Sequence, residues 1–165
     1  MILIKPGRCK MNASYDLNFM AIALEEARKG ADEGEVPVGA VAVVDAQIVA
    51  RAHNRPMALV DPTAHAEILA LRETARAART YRPHDVTLYA TLEPCVMCVG
   101  AMINARLARL VYGARDAKAG ALGSVYDIGR NGMLNHRIEV TPGVMETECA
   151  RLLHEFFQSV RGRPA

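Results

Sequence analysis

The stretch that decides the fold spans residues 86–112 and reads VTLYATLEPCVMCVGAMINARLARLVY. Its two ends, residues 86–91 and 107–112, are short apolar runs with β-branched and aromatic residues, which is the pattern of buried strands. Between them, Pro94 begins a predicted helix that extends to about Ala105, since proline is favoured at the start of a helix. Because a strand, a helix and a strand follow one another, the stretch predicts parallel strands joined by a helical crossover.

Further strands are predicted on both sides of this crossover. Residues 38–44 and 48–51 are β-branched runs separated by Asp45-Ala46-Gln47, and they predict a hairpin. Residues 137–141 predict a fifth strand, whereas residues 53–60 and 113–132 have the character of loops. Together these patterns predict an α/β fold with a central mixed sheet of five strands and helices on its faces.

Three more helices are predicted from capping residues and helical spacing. Ser14 caps a first helix that extends to Gly30. Asp61 as cap and Pro62 at the first helical position predict a helix over residues 64–78. This helix would contain His65 in its first two turns. A closing helix over residues 146–160 would be anchored by buried apolar side chains, namely Leu152, Leu153, Phe156 and Phe157.

Length and composition predict one globular domain. The chain has 165 residues, and at 51% hydrophobic and 23% charged residues it is too apolar for disorder. We assign residues 14–160 to a single domain, residues 1–13 to a loose N-terminal extension and residues 161–165 to a C-terminal tail. The longest uncharged run, residues 94–105, is shorter than the roughly 18 to 20 residues of a membrane span. Because a signal-peptide pattern is also missing, we expect a cytoplasmic location.

Net charge and cysteine content narrow the function only slightly. A net charge of +2 is too mild to identify a nucleic-acid-binding protein. Most basic residues are arginines, which suit phosphate binding but are equally compatible with an ordinary solvated surface. Four cysteines in a chain of this length do not indicate a disulfide framework. Cys95 and Cys98 therefore need another explanation.

Two short motifs carry the chemistry: His65-Ala66-Glu67, and Pro94-Cys95-Val96-Met97-Cys98 about thirty residues later. Each lies at a predicted helix N-terminus, where the helix dipole and free N–H groups favour thiolates. Cys95 and Cys98 are three residues apart, so both sulfurs project from one helix face. With His65 they form a ligand set suited to zinc, and three protein ligands leave a fourth position for water, as in catalytic sites.

Two other interpretations of the cysteines stay open. Cys9 or Cys149 would complete a closed structural zinc site if either supplied a fourth ligand. The spacing of Cys149 is more typical of a small core residue. Cys95 and Cys98 would otherwise be core thiols, which leaves their pairing with His65 unexplained.

Glu67 is the candidate proton carrier. It lies two residues after His65, roughly 200° around a helix, so both side chains cannot easily bind one ion. Zinc lowers the pKa of bound water to about 7. Glu67 would take the proton of that water and return it to a ring nitrogen and to the departing amine, as hydrolytic deamination of a heterocycle requires. Glu93, the competing carboxylate, is interpreted as a cap or backbone clamp.

These motifs resemble the signature of the zinc nucleobase deaminases. Within that superfamily the sequence closely resembles the bacterial tRNA-specific adenosine deaminases of the TadA type, over nearly all of residues 16–160. The Arg115-Asp116-Ala117-Lys118 stretch and Asn54 narrow the resemblance to the tRNA branch. The matching segments are residues 36–41, 53–56, 61–71, 91–103, 113–118 and 135–137.

The resemblance implies a cytidine-deaminase-like, three-layer α/β/α fold and conversion of adenosine to inosine at the wobble position of an arginine tRNA. It also implies one Zn²⁺ per subunit on the three ligands given above, and a homodimer that binds the anticodon stem-loop near its interface. Asn54 would hydrogen-bond the base, and the backbone around Ala66 would read its edge. Asp116 and Lys118 would contact ribose and phosphate groups.

Further RNA contacts and other functions stay open. Phe156 and Phe157 match the family's C-terminal aromatics and would be either tRNA contacts or buried helix anchors. The basic side chains expected around the site and in the tail are Arg55, Arg115, Lys118, Arg130, Arg137, Arg161 and Arg163. Two alternative functions share the zinc ligands: a free-base deaminase acting on guanine or cytosine, and a non-catalytic, zinc-stabilised RNA-binding module.

The remaining histidines are not assigned to the zinc site. His53 precedes Asn54 and either positions it or faces solvent. His84 and His154 are interpreted as surface residues, and His136 is given no role.

Overall fold

The structure, a computed structural model, describes residues 13–130 and 132–161. The helices are Ala13–Asp32 (α1), Pro56–Leu59 (α2), Ala66–Ala78 (α3), Val96–Asn104 (α4) and Glu146–Arg161 (α5). The strands are Gly39–Val44 (β1), Gln47–His53 (β2), Thr87–Leu92 (β3), Arg109–Ala114 (β4) and Glu139–Thr141 (β5). The predictions for residues 1–12, which include Cys9, and for residues 162–165, which include Arg163, lie outside the described residues.

The strands form one mixed sheet of five strands in the order β2-β1-β3-β4-β5. β1 and β2 form the predicted hairpin, and β1 also pairs antiparallel with β3. β3 and β4 are parallel and are connected through α4, while β5 extends the sheet parallel to β4. The predicted mixed sheet and its helical crossover are therefore confirmed.

Alternation along the strands divides the core into two layers, because successive side chains of a strand point to opposite faces. Val41, Tyr89 and Val111 pack on the face covered by α1 and α5. Leu88 and Leu110 pack on the opposite face, against α3 and α4. The fold is thus the expected three-layer α/β/α architecture. Among the described helices, none combines the length and apolar character that crossing a bilayer requires.

The helix that carries Glu67 begins later than its sequence pattern predicts. Asp61 does not cap it, because Asp61 Oδ1 accepts the backbone N–H and the hydroxyl of Thr63 at 2.8 and 2.7 Å. These bonds close a local turn, and α3 begins only at Ala66, with His65 as its N-cap. An aspartate that bonds its own backbone two residues on favours a turn. The predicted helix start and the placement of His65 inside the helix are therefore wrong.

α4 also begins later in the sequence than predicted. It begins at Val96, with Cys95 as its N-cap, rather than at Pro94. The Pro94 carbonyl oxygen accepts the N–H of Ala121 at 2.9 Å, and Cys95 pairs with Gly120 in an isolated antiparallel bridge. These contacts keep Pro94 and Cys95 extended and delay the helix by two residues.

Two further predictions need correction. The loop expected over residues 53–60 contains α2, which has Pro56 in its first turn. The predicted apolar anchors of α5 are less buried than expected. Leu152, Leu153 and Phe156 are partly buried, and Phe157 is 44% exposed. Leu152 and Leu153 pack at the edge of the core, and α5 is also held at Cys149, whose sulfur would collide with a Cβ at Gly113. Glycine is needed there because helix and strand approach so closely.

Candidate metal and catalytic site

The candidate zinc ligands lie where two helices begin. His65 is the N-cap of α3 and Cys95 the N-cap of α4, with extended ψ angles of 150° and 173°. Their carbonyl oxygens accept the first helical hydrogen bonds, from the N–H groups of Leu69 and Val99. Neither side chain caps its own helix. The positive ends of two helix dipoles therefore meet here, which favours thiolates and other anions.

Three donor atoms converge between these helix ends. His65 Nδ1 lies 3.5 Å from Cys98 Sγ and 3.7 Å from Cys95 Sγ, and the two sulfurs are 3.7 Å apart. Among the described residues, these three form a group whose donor atoms are close enough to share a metal ion. Cys149 lies in the core on the other face of the sheet. A structural zinc site completed by Cys149 is therefore wrong.

Hydrogen bonding shifts the pKa values of the two thiols in opposite directions. The pKa of Cys95 falls to about 3, because its sulfur is hydrogen-bonded with Cys98 and with His65. The same hydrogen bond and burial raise the pKa of Cys98. The contact with Cys95 raises the pKa of His65. Cys95 is thus a ready thiolate ligand, and Cys98 must release a proton to become one.

Glu67 lies beside this group, and its residue surface is 3% exposed. Burial raises the pKa of its carboxyl, which also hydrogen-bonds Cys98. Its Oε2 has no hydrogen-bond partner among the described residues, and an unpartnered buried carboxylate oxygen is costly. Oε2 is therefore the atom available for proton exchange. Because His65 precedes α3, the helical angle expected between Glu67 and His65 does not describe their placement.

Asn54 fixes the N-terminus of α3. Its Oδ1 accepts the backbone N–H of Ala66 at 2.9 Å, and both residues are buried. The bond satisfies one of the N–H groups that the first turn of a helix leaves unpaired. Since the Ala66 N–H is already used, the Asn54 amide NH₂ is the donor that this pair can offer to a ligand.

The loop after β4 contains Asp116 and Lys118, the residues expected to contact the RNA backbone. Asp116 Oδ1 accepts the N–H groups of Lys118 and Ala119 at 2.9 and 3.2 Å and so shapes its own loop. Lys118 is exposed. The structure therefore gives Asp116 a local structural role and leaves Lys118 accessible.

Glu93 is a backbone clamp, as the sequence suggested, and it is 1% exposed. Oε1 accepts the N–H groups of Leu122 and Ser124 at 3.0 and 3.1 Å. Oε2 accepts the N–H of Asp116 at 3.2 Å and the hydroxyl of Ser124. Burial alone would raise the pKa of Glu93, but these hydrogen bonds prevail and lower it. The loop is thereby fastened two residues before Cys95.

Glu35 is a second buried clamp, which the sequence did not reveal. It is 1% exposed and accepts the N–H groups of Ala58 at 2.8 Å and Met57 at 3.4 Å, at the start of α2. Its partners are backbone groups 22 and 23 residues away. No capping rule or periodicity marks such a contact.

His53 is held between two carboxylates. Its Nδ1 lies 3.4 Å from Glu26 and its Nε2 lies 3.3 Å from Glu33, and its side chain is 13% exposed. The interpretation of His53 as a solvent-facing loop residue is therefore wrong. Because β2 ends at His53, these contacts brace the strand end from which Asn54 follows.

Three of the basic residues expected to contact RNA contact neighbouring loops, and two of these, Arg130 and Arg137, are also exposed. Arg55 lies 3.3 Å from Glu33, and Arg130 donates two hydrogen bonds of 3.1 Å to Asp127. Arg137 donates to the carbonyl oxygen of Arg130. These three side chains brace surface loops. The exposed basic residues of the described chain from this set are Arg115, Lys118, Arg130, Arg137 and Arg161.

The aromatic pair and the remaining histidines are not members of the three-donor group. Phe156 and Phe157 form an edge-to-face pair with ring centroids 5.6 Å apart, and only Phe156 is half-buried. His84 and His154 are exposed, as predicted. His136 Nε2 hydrogen-bonds the carbonyl oxygen of Leu107 at 2.6 Å, which gives this residue a local structural role.

The fold and the three-donor site define the class of the protein. The family model described as MafB19-like deaminase matches residues 15–161, so this chain is a deaminase. A tRNA-specific adenosine deaminase of Haemophilus influenzae is 47% identical over 153 residues, covering 92% of this chain and 88% of the relative. The chain belongs to the tRNA-specific adenosine deaminases, which confirms the resemblance. It is therefore an enzyme of the hydrolytic deaminase class.

Solved structures agree with this assignment. One comes from biochemical and structural studies of A-to-I editing by tRNA:A34 deaminases at the wobble position of transfer RNA. It has a TM-score of 0.79 and 43% identity, and the match covers 82% of this chain and 98% of that chain. A guanine deaminase from Nitrosomonas europaea has a TM-score of 0.72 and 28% identity, covering 85% and 83%. The fold thus also occurs with a free-base substrate.

Proposed function

We propose that this protein converts adenosine to inosine at the wobble position of an arginine tRNA, with one Zn²⁺ per subunit. The relatives and the first of the two structures support a tRNA substrate, because both are described as acting on tRNA. The match of the family model to residues 15–161 supports a single catalytic domain over residues 14–160. The observation that carries the chemistry is the unpartnered, buried Glu67 Oε2 beside three converging donor atoms.

The donor set of His65, Cys95 and Cys98 fits zinc. Tetrahedral Zn²⁺, with bonds of about 2.3 Å to sulfur and about 2.0 Å to nitrogen, places two sulfurs about 3.8 Å apart and a nitrogen and a sulfur about 3.5 Å apart. The observed separations are 3.7 Å between the sulfurs and 3.5 and 3.7 Å from Nδ1 to the sulfurs. Three protein ligands support a catalytic rather than a structural site.

Glu67 would move the protons of the reaction. When bound, Zn²⁺ would lower the pKa of a water to about 7 and so supply a nucleophile near neutral pH. Burial raises the pKa of Glu67, which brings its carboxyl closer to the range useful for proton transfer. Glu67 would accept one proton of the water at Oε2 and deliver it to the ring nitrogen. It would then pass the remaining proton of the added hydroxyl to the departing amine. Water and adenosine then give inosine and ammonia.

Asn54 and the two flanking loops would bind the substrate. Asn54 would donate to the base through its amide NH₂, because its Oδ1 is occupied by the Ala66 N–H. Lys118 would contact a phosphate, and Asp116 would contribute by shaping the loop that carries it. An anticodon base is already unpaired, so its extrusion avoids most of the unstacking and unpairing cost of a duplex.

The homodimer and the cytoplasmic location are part of the same proposal and come from the resemblance and the sequence. An open groove of about 410 Å³ lies between α3 and α4, and its walls include Ile68, Leu71 and Ala101. A second copy of the chain would cover these apolar side chains. Light scattering tests this prediction: a mass near twice 17.9 kDa supports the dimer, whereas a mass near 17.9 kDa contradicts it.

The function is tested with unmodified arginine tRNA and zinc-loaded protein. Sequencing of the anticodon and release of ammonia should both show conversion of the wobble adenosine. The same tRNA with guanosine at that position is the control, and the protein should leave it unchanged. Zinc-loaded protein that leaves the wobble adenosine intact would contradict the proposal.

A free-base deaminase is the second candidate, because the guanine deaminase has the same fold. Guanine offered alone distinguishes the two functions. Turnover of guanine without turnover of tRNA would favour the free-base deaminase. Salt adds a second criterion, since contacts to phosphates weaken steeply with rising ionic strength and contacts to a free base do not.

A further inference from the structure

We propose that Glu93 is a positioning residue that aligns the loop of residues 116–124 with the metal site. In this proposal one buried carboxylate couples the segment that carries Cys95 to the loop that carries Asp116 and Lys118. The proposal rests on the tRNA deaminase function proposed above, in which this loop contacts RNA.

The loop docks directly on the metal-ligand segment. The N–H of Ala121 donates to the carbonyl oxygen of Pro94 at 2.9 Å, and Gly120 pairs with Cys95 in the isolated bridge. Glu93 immediately precedes this segment and receives four hydrogen bonds from the loop. These contacts therefore fix the position of the loop, and of Lys118 within it, relative to the metal donors.

Gly120 shows how closely carboxylate and loop approach. A Cβ at this position would lie 2.5 Å from Glu93 Cδ and 2.6 Å from the carbonyl oxygen of Asp116. No side chain fits between them without a shift of the loop or the carboxylate. The absence of a side chain at residue 120 is thus what allows Glu93 to reach both ends of the loop.

A carboxylate suits this place, because the three backbone N–H groups of the loop can only donate and the Ser124 hydroxyl also donates here. In Glu93→Gln the amide oxygen can still accept from Leu122 and Ser124, and the amide NH₂ can donate to the Ser124 hydroxyl oxygen. The N–H of Asp116 then faces another donor. The reverse orientation sets the NH₂ against two N–H groups and is less favourable. The substitution therefore releases the Asp116 end of the loop.

Glu93→Gln in the zinc-loaded protein tests the proposal with two measurements. Hydrogen exchange at the Asp116 amide should become at least about tenfold faster, because its charged acceptor is lost. KM for tRNA should rise about tenfold, while kcat should stay within about threefold and zinc content should not change. A role confined to overall stability would not produce this separation of KM from kcat.

Asp16→Asn is the matched control. Asp16 is also a buried carboxylate, and it accepts hydrogen bonds from Arg109 and Tyr89 on the α1 side of the sheet. Its replacement should lower stability but leave both KM and the exchange of loop 116–124 at the wild-type values. Gly120→Ala is the second variant if Glu93→Gln does not fold, and it should reproduce the rise in KM by displacing the carboxylate.

The outcomes separate this proposal from the function on which it rests. Unchanged exchange and unchanged KM in Glu93→Gln would overturn the positioning role, as would loss of kcat and zinc at constant KM. If the wild-type protein does not convert tRNA, the proposed function fails. The exchange measurement would then still decide whether Glu93 holds the loop.

Discussion

Replacing Asn54 should separate its role in the fold from its role in the reaction. Asn54→Ala removes the acceptor of the 2.9 Å hydrogen bond from the Ala66 N–H in a buried place. Leaving a buried donor without a partner costs about 1–3 kcal/mol. For a chain of this length, each kcal/mol lowers the melting temperature by about 2–4 °C. The alanine variant should therefore melt several degrees below wild type and lose its deaminase activity.

Asn54→Asp is the informative comparison. Aspartate keeps an oxygen for the Ala66 N–H and places a negative charge at the N-terminus of α3, where the helix dipole favours it. It removes the NH₂ that we assign to the base. Its stability should lie within about 1 kcal/mol of wild type. Its kcat/KM should still fall roughly tenfold to a hundredfold, because a hydrogen bond to the base is lost.

Urea unfolding and steady-state kinetics on tRNA measure the two effects independently. Asn18→Ala, at an exposed asparagine on α1, is the control and should lower neither quantity, because alanine is the better helix former. Full activity in Asn54→Asp would refute the assignment of the amide NH₂ to the base. An undiminished stability in Asn54→Ala would refute the capping role.

Three further predictions test other parts of the account. Glu67→Gln should retain zinc, by elemental analysis, but lose at least roughly 10²-fold in kcat; unchanged kcat would indicate no proton transfer by Glu67. Burial alone would raise the pKa of Asp16, but hydrogen bonds from Arg109 outweigh it and lower the pKa below 3.8. The stabilisation from Asp16 should therefore be full well above pH 3.8 and lost as the pH falls through the folded pKa. Urea unfolding from about pH 6 to 2 should show a larger loss in wild type than in Asp16→Asn, because other carboxylates with lowered pKa values, such as Glu93, titrate in both proteins. Glu35→Gln should cost about 1–3 kcal/mol in the same assay. An equal cost in Glu25→Gln, at an exposed glutamate of α1, would contradict the clamp.

The layers of the fold follow from short-range patterns in the sequence. The crossover of residues 86–112 was predictable because a helix that connects two neighbouring strands returns the chain to the same end of the sheet, which makes the strands parallel. Strand alternation likewise assigns the neighbours Leu88 and Tyr89 to opposite faces. These signals depend on neighbouring residues, and tertiary contacts reinforce them.

The helix starts and the clamps depend on contacts that the sequence does not display. Asp61 and Pro94 carry standard signals for a helix start, yet local bonds to Thr63 and a distant bond from Ala121 hold both segments outside the helices. The displacement places His65 and Cys95 at N-caps, so their side chains face each other. The two motifs predict that His65 and Cys95 come together. They do not predict that both residues occupy N-cap positions.

The buried clamps show the same limit more strongly. Glu93 bonds groups 23 to 31 residues away, and Glu35 bonds groups 22 and 23 residues away. Because their partners are backbone N–H groups, no residue type marks the other end of the contact. Glu93 could be suspected from its place beside Pro94, but Glu35 has no such neighbour signal.

X-ray absorption at the zinc edge of the purified protein tests the central claim most directly. The account predicts one zinc per chain, bound by two sulfurs and one imidazole nitrogen, with a single light-atom ligand from solvent completing the shell. The same measurement on Cys98→Ala should show one sulfur fewer. Protein without bound zinc, or a fourth ligand supplied by another side chain, would contradict the account.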